Sequence, residues 1–259
     1  MIITSQRVAN VAQRLRRRCR AVTVSLFGLT PLLIALGTAH AQTLAVQPVN
    51  VVLLPGQKIA TLTLKNPSTE AITVQGRAFT WNQDGNDDPL KATDAMLISP
   101  PMATIQPGES QVVRVAMRQP TAGRETTYRL LLDQLPSPSR PKGIAVLLRL
   151  SIPVFVESDV HAAPEFDFRV EGDHEGKSFL VVTNRGQRHD SVRDIHLKAP
   201  DGTTWKTAVP GLPYVLAGAE RRWPIEAEGS SHDLPATFSL TAQTDVGGLV
   251  RQVRVIKQP

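Results

Sequence analysis

From residue 44 onward the chain is written in short runs of alternating apolar and polar residues, and no stretch sustains a helical period. In Ala60-Thr61-Leu62-Thr63-Leu64-Lys65 every apolar side chain falls on one face, and the run stops at Asn66-Pro67-Ser68. Runs over 44–54, 71–81 and 112–117 are set off by Pro55-Gly56, by the polar turn 82–89 and by Gln106-Pro107-Gly108. Two further runs, 126–135 and 144–156, flank a loop rich in Pro and Ser at 136–141. Seven short strands over about 115 residues is the pattern of an immunoglobulin-like sandwich. A small polar stretch follows, and the pattern then restarts at 179–182, 195–197, 238–242 and 249–256. The reading is all-β, two β-sandwich domains over 42–157 and 164–259 joined by a hinge at 158–163. No sequence repeat links the two halves.

The first 41 residues differ in kind. Arg14, Arg16, Arg17, Arg18 and Arg20 precede an apolar stretch at 21–36, and Ala39-His40-Ala41 has the small-x-small form of a signal-peptidase site. Gly28, Pro31 and Gly37 interrupt the apolar stretch, which falls short of the ~20 residues a bilayer span needs. A cleaved signal peptide over 1–41 and export to the periplasm are expected. Of 29 basic residues six lie in this leader, and no acidic one does, so 23 basic face 23 acidic side chains beyond it. The basic balance belongs to the leader, which argues against a nucleic-acid partner. Cys19 also lies there, so the exported chain holds no disulfide and no thiolate.

Ile144, Val146, Leu148, Leu150 and Ile152 recur at two-residue spacing, which in a strand makes one continuous apolar row. The other face, Ala145, Leu147, Arg149, Ser151 and Pro153, is mixed. Pro141 and Pro153 bracket the run as prolines do near a sheet edge. Two readings stay open: the row packs inward on its own core, or it is lent to another protein by strand addition.

No catalytic signature accompanies this pattern. Gly-x-Ser-x-Gly, His-Glu-x-x-His and glycine-rich phosphate loops are absent, and His161, His174, His189, His196 and His232 lack metal-ligand spacing. Residues 84–88 are acidic but lack the closing Glu of a calcium loop. His189-Asp190-Ser191 holds triad residue types on one loop, which is not triad geometry. Trp81, Trp205 and Trp223 sit in patterned runs and are expected in the core. A non-enzyme with no cofactor, no metal and no small-molecule substrate is expected.

Residues 44–259 resemble the periplasmic chaperones of the chaperone–usher pathway, which assemble pili. The matching residues are Leu64-Lys65-Asn66-Pro67, Ser99-Pro100-Pro101, Ile105-Gln106-Pro107-Gly108 with Val112-Val113-Arg114-Val115, the run 128–136, and Leu150-Ser151-Ile152-Pro153-Val154-Phe155. In the second half Thr183-Asn184-Arg185-Gly186 with His189 and Val192 fits, as does Tyr214-Val215-Leu216-Ala217-Gly218 with Arg221-Arg222-Trp223. The resemblance implies two immunoglobulin-like β-sandwich domains arranged in an L. It also implies a donor strand whose row maps onto Ile144, Val146, Leu148, Leu150 and Ile152. Pilus subunits would be completed in trans and passed to an outer-membrane usher, and a self-capping homo-oligomer has room when the protein is free. The best-known branch holds the subunit's terminal carboxylate with an Arg and a Lys, where this chain has Val51 and Pro153. The Ser-Ile-Pro-Val-Phe ending is similar to the non-classical, archaic branch. Arg129, then Arg149 and Arg114, are the candidate carboxylate anchors. A secreted tandem immunoglobulin-like structural or adhesive protein is the rival; it predicts disulfides or an N-terminal polymerisation strand, and neither is evident.

Overall fold

The computed structural model describes residues 44–119, 123–136, 146–173, 176–207, 211–228 and 234–257, all of them in strands, turns and irregular connections. The leader, with its expected cleavage site, lies outside the described residues.

Ten strands build the first half: β1 (Ala45–Gln47), β2 (Val51–Leu53), β3 (Ile59–Lys65), β4 (Ile72–Trp81), β5 (Leu90–Ala92), β6 (Met96–Ser99), β7 (Met102–Ile105), β8 (Ser110–Met117), β9 (Thr126–Gln134) and β10 (Arg149–Val156). One layer runs β1-β3-β8-β6, the other β2-β10-β9-β4-β5, with β7 also on β4. The alternation seen in the sequence delivers the core. Leu62, Leu64, Val113 and Val115 point inward from one layer, and Leu53, Val74, Leu130, Leu132 and Val154 from the other. The run at 44–54 is two strands on opposite layers. Pro48 offers no ladder donor, the exposed residues 48–50 bend, and the chain crosses from β3's flank to that of β10.

The second half has its own core and comprises β11 (Phe166–Gly172), β12 (Ser178–Asn184), β13 (Asp190–Ser191), β14 (Arg193–Lys198), β15 (Thr204–Thr207), β16 (Tyr214–Val215), β17 (Glu220–Ala227), β18 (Thr237–Thr244) and β19 (Gly247–Lys257). Seven of these hydrogen-bond around a complete ring, β11-β12-β17-β15-β14-β18-β19, closed by the parallel pair β11–β19. Leu180, Val182, Leu197, Trp223, Phe238 and Leu240 fill it. Trp81, Trp205 and Trp223 are all buried.

A shared corner relates the halves. Asn66 is fully buried at the end of β3; its Nδ2 donates to Glu70 O and Ile105 O, and its Oδ1 accepts Ser68 N. Its backbone N–H and C=O pair with Glu109 O and Gly108 N. Asn184, fully buried at the end of β12, repeats each bond: Nδ2 to Arg188 O and Val215 O, Oδ1 from Gly186 N, and backbone bonds to Ala219 O and Gly218 N. Both turn glycines, Gly108 and Gly218, sit at φ 76°, open to glycine at no steric cost. The halves therefore do share a repeat, but one of a single asparagine and a turn glycine, too sparse to see in the sequence.

The segment expected as a hinge is fastened at its far end. Asn184 Oδ1 also accepts Glu165 N (3.1 Å), Arg185 N donates to Glu165 O and Gln187 N to Ala163 O. The connection runs so close over Gly186 that a Cβ there would stand 2.3 Å from Ala163 O.

Candidate functional site

β10 has a finished end and an unfinished end. β9 pairs along its whole length, Arg149↔Asp133 through Val156↔Thr126. On the other side β2 covers only Val154–Val156, in parallel. Glu157 N donates to Leu53 O, and Gln134 N, from β9, donates to Leu148 O. Main-chain groups alternate sides along a strand, so odd-numbered residues present N–H and C=O toward β2 and even-numbered ones toward β9. Upstream of β2, the groups of Arg149 and Ser151 therefore face a margin beside which no other described strand lies. Pro153 stands where coverage ends, and the N–H it lacks would have pointed to that margin.

Side chains along the same strand grade from core to water. Val154 and Ile152 (4% exposed) are in the core, Leu150 and Leu148 are half-buried against it, and Val146 is 82% exposed. Regular strand geometry begins at Arg149 rather than at 144, although Leu148 is still bonded to β9. Ile144 lies outside the described residues. Leu147, on the opposite face, is 43% exposed. Among the described residues, then, Leu148, Leu150 and Ile152 of the predicted row pack on the core with burial falling toward the open margin, and Val146, beyond them, is in water.

The three candidate arginines are in three different places. Arg129, across from Pro153, is 6% exposed, with its guanidinium 3.6 Å from the centroid of the Trp81 ring. Burial lowers its pKa, against the pull of Asp88 and Tyr214, and it forms no ion pair with any described residue. Arg149 is exposed and gives its Nε to Asp133. Arg114 is exposed on β8, on the outer face of the other layer, opposite Thr61 and Ser99. Val51 is core and Pro153 is buried.

Where β9 begins and β10 ends, their outer face is covered by the second half, which sequence reading did not anticipate. Trp81, Phe155, Leu216 and Ala219 make a separate apolar cluster with Tyr214 against it. Gln83 bridges to Tyr214 O and Leu216 N, Glu125 N donates to Gln187 O, and Arg188 Nε lies 3.1 Å from Glu157 Oε1. Asp88 Oδ1 accepts both Trp81 Nε1 (3.0 Å) and Arg221 Nη1 (3.2 Å). Asp88 thus bonds one buried arginine, Arg221, while the other, Arg129, feels it only through space. Glu125 accepts His189 Nδ1 and His189 N, so the triad residue types part company: His189 goes to Glu125 and Ser191 Oγ to Asp245. Asp190 accepts Ser191 N and Asp245 N on one oxygen, and burial raises its pKa.

Residues 43–159 match the family described as pili and flagellar-assembly chaperone, PapD N-terminal domain. The CsuC–CsuE chaperone–tip adhesion subunit pre-assembly complex of the archaic chaperone–usher Csu pili of Acinetobacter baumannii is similar in structure, with TM-score 0.59, 22% identity, 84% of this chain and 100% of that chain covered. The YadV chaperone gives TM-score 0.58 at 18% identity over 82% and 98%. The complex of the Salmonella enterica SafA pilin with the SafB chaperone gives 0.55 at 16% over 82% and 95%. At such identities the likeness is one of fold. No curated protein matches by sequence.

Proposed function

We propose that this chain completes the fold of pilus subunits in the periplasm by lending them β10, then passes them to an outer-membrane usher, a reading supported by the match of residues 43–159 to the pili and flagellar-assembly chaperones. The observation that carries this reading is the emergence of the row Leu150, Leu148, Val146 from the protein's own core at a margin with unclaimed main-chain groups. A foreign sheet lacking one strand would gain hydrogen bonds from Arg149 and Ser151 and apolar contact from the row, with Ile152 tying both cores together. Each side chain taken fully out of water contributes up to about 1.5–3 kcal/mol, and the half-buried ones less. Ordering and association costs offset much of that, which leaves a complex that can be released.

Arg129 is the carboxylate anchor in this reading. Buried charges are normally paired, and among the described residues Arg129 and Arg221 have only Asp88 between them, so an anion entering beside Pro153 would complete the balance. The division into 42–157, a connection at 158–163 and 164–259 is supported by the two separate cores.

The test is Leu148→Glu in the full chain co-expressed with pilus subunits of the same organism. Leu148 is only half-buried in the free protein, so folding should survive, while a carboxylate in the subunit's groove should abolish the complex. Co-purification at undiminished yield overturns the reading.

A further inference from the structure

The outer face of the donor strand carries an unfinished charge ladder. Arg77 gives Asp133 Oδ2 two bonds, from Nη2 at 2.7 Å and Nε at 3.0 Å, and Arg149 Nε bonds Oδ1. Burial pushes the Asp133 carboxyl up, and the bonds from Arg149 and Arg77 more than reverse this, holding it below the usual aspartate value. One negative charge therefore serves two cations, and the ladder runs plus, minus, plus from β4 through β9 to β10. Its last member stands at the open margin. The Arg149 side chain is 62% exposed, and neither of its Nη groups bonds any described residue.

Residues directly opposite on neighbouring strands share a face, whichever way the strands run. A strand added at the margin would point the residues facing Leu148, Leu150 and Ile152 into the joint core. The residue facing Arg149 would point outward, beside the free guanidinium, where an acidic side chain extends the alternation by one step. Two residues along, the incoming strand meets Ser151, which is neutral and makes no such demand.

We propose that Arg149 selects for an acidic side chain on the strand received at this margin, at the one position facing it. The inference rests on the strand-addition reading and assigns Arg149 a different task from the terminal anchor: it reads a side-chain carboxylate from within the sheet.

Synthetic strand peptides of about ten residues, apolar at alternate positions and amidated at the C-terminus, isolate this contact from any terminal carboxylate. The facing position carries Glu in one peptide and Lys in the other, and affinities are measured by titration calorimetry at low salt and at about 0.5 M. The wild-type chain should prefer the Glu peptide by about two- to five-fold, with the preference fading in salt. Arg149→Glu should reverse the order and Arg149→Gln should level it; the position is exposed, so folding is not at risk. Free-acid versions should gain equally in all three proteins. Equal binding of the Glu and Lys peptides to wild type, or a preference unmoved by Arg149→Gln, overturns the assignment while leaving strand addition standing. Binding of both peptides that survives Leu148→Glu, or no binding to wild type, overturns strand addition and this inference with it.

Discussion

The imidazole of His189 lies flat on the ring of Phe155, with centroids 3.4 Å apart and planes within 5° of parallel. Phe155 lies one residue before the end of β10 in the first half and His189 belongs to the second, so this stack, clamped from behind by Glu125, ties β10 to the second half.

His189→Ala should therefore be costly. It deletes the stack and leaves Glu125, whose side chain has no exposure, with only a backbone donor. A loss of about 2–4 kcal/mol in urea unfolding is expected, on the scale of uncovering a buried charge. His189→Gln, which can still donate to Glu125, should recover part of it.

Asp190→Asn should change how stability depends on pH. A carboxyl whose folded pKa is raised holds its proton more tightly folded than unfolded. Its contribution is present in full below the unfolded value of about 3.9 and is lost as pH rises through the folded value. Asparagine keeps the acceptor for Ser191 N and Asp245 N without that proton. Relative to wild type the variant should gain stability between pH 4 and 7; a widening deficit over that range in urea melts would mean that Asp190 is charged when folded.

The two asparagine corners should fail by unequal amounts. Asn66→Ala strips the Nδ2 donor from the buried Ile105 O and one of the donors from Glu70 O, which still accepts Ser68 Oγ, and about 1–3 kcal/mol is expected, mostly for the buried carbonyl. Asn184→Ala strips Val215 O and Arg188 O in the same way but also frees Glu165 N on the connection between the halves. Its loss in chemical denaturation should be the larger of the two.

Arg129→Ala should weaken capture of a pilus subunit by about 1.5–3 kcal/mol, the scale of a hydrogen bond to a charged group. Arg129→Lys should recover little, because an ammonium can neither lie flat on Trp81 nor fork to two oxygens. Equal affinities for all three proteins, by surface plasmon resonance, would remove Arg129 from the anchor role.

What the sequence disclosed follows from period. Leu62 and Leu64, or Leu150 and Ile152, alternate with polar neighbours, and a two-residue repeat under a one-sided core leaves no other face to bury. What it withheld depends on partners remote in the chain. Alternation continues through Pro48 without saying that the chain changes layer there. Arg129 reads as a surface residue until Trp81 and the second half cover it. Glu125 and His189, 64 positions apart, show no pattern at all. Asn66 and Asn184 each read as turn formers, and their identical use appears only when Ile105 and Val215 arrive beside them. The acidic member of the charge ladder, Asp133, is unremarkable until strand pairing sets it next to Arg149.

Pro153 has an effect on the molecule's own behaviour. A strand extending from β2 toward the start of β10 would find a ring where a hydrogen should be, at the residue where the pairing of β2 with β10 stops. A single imino acid thus withholds the next rung of that ladder from the chain's own leading segment.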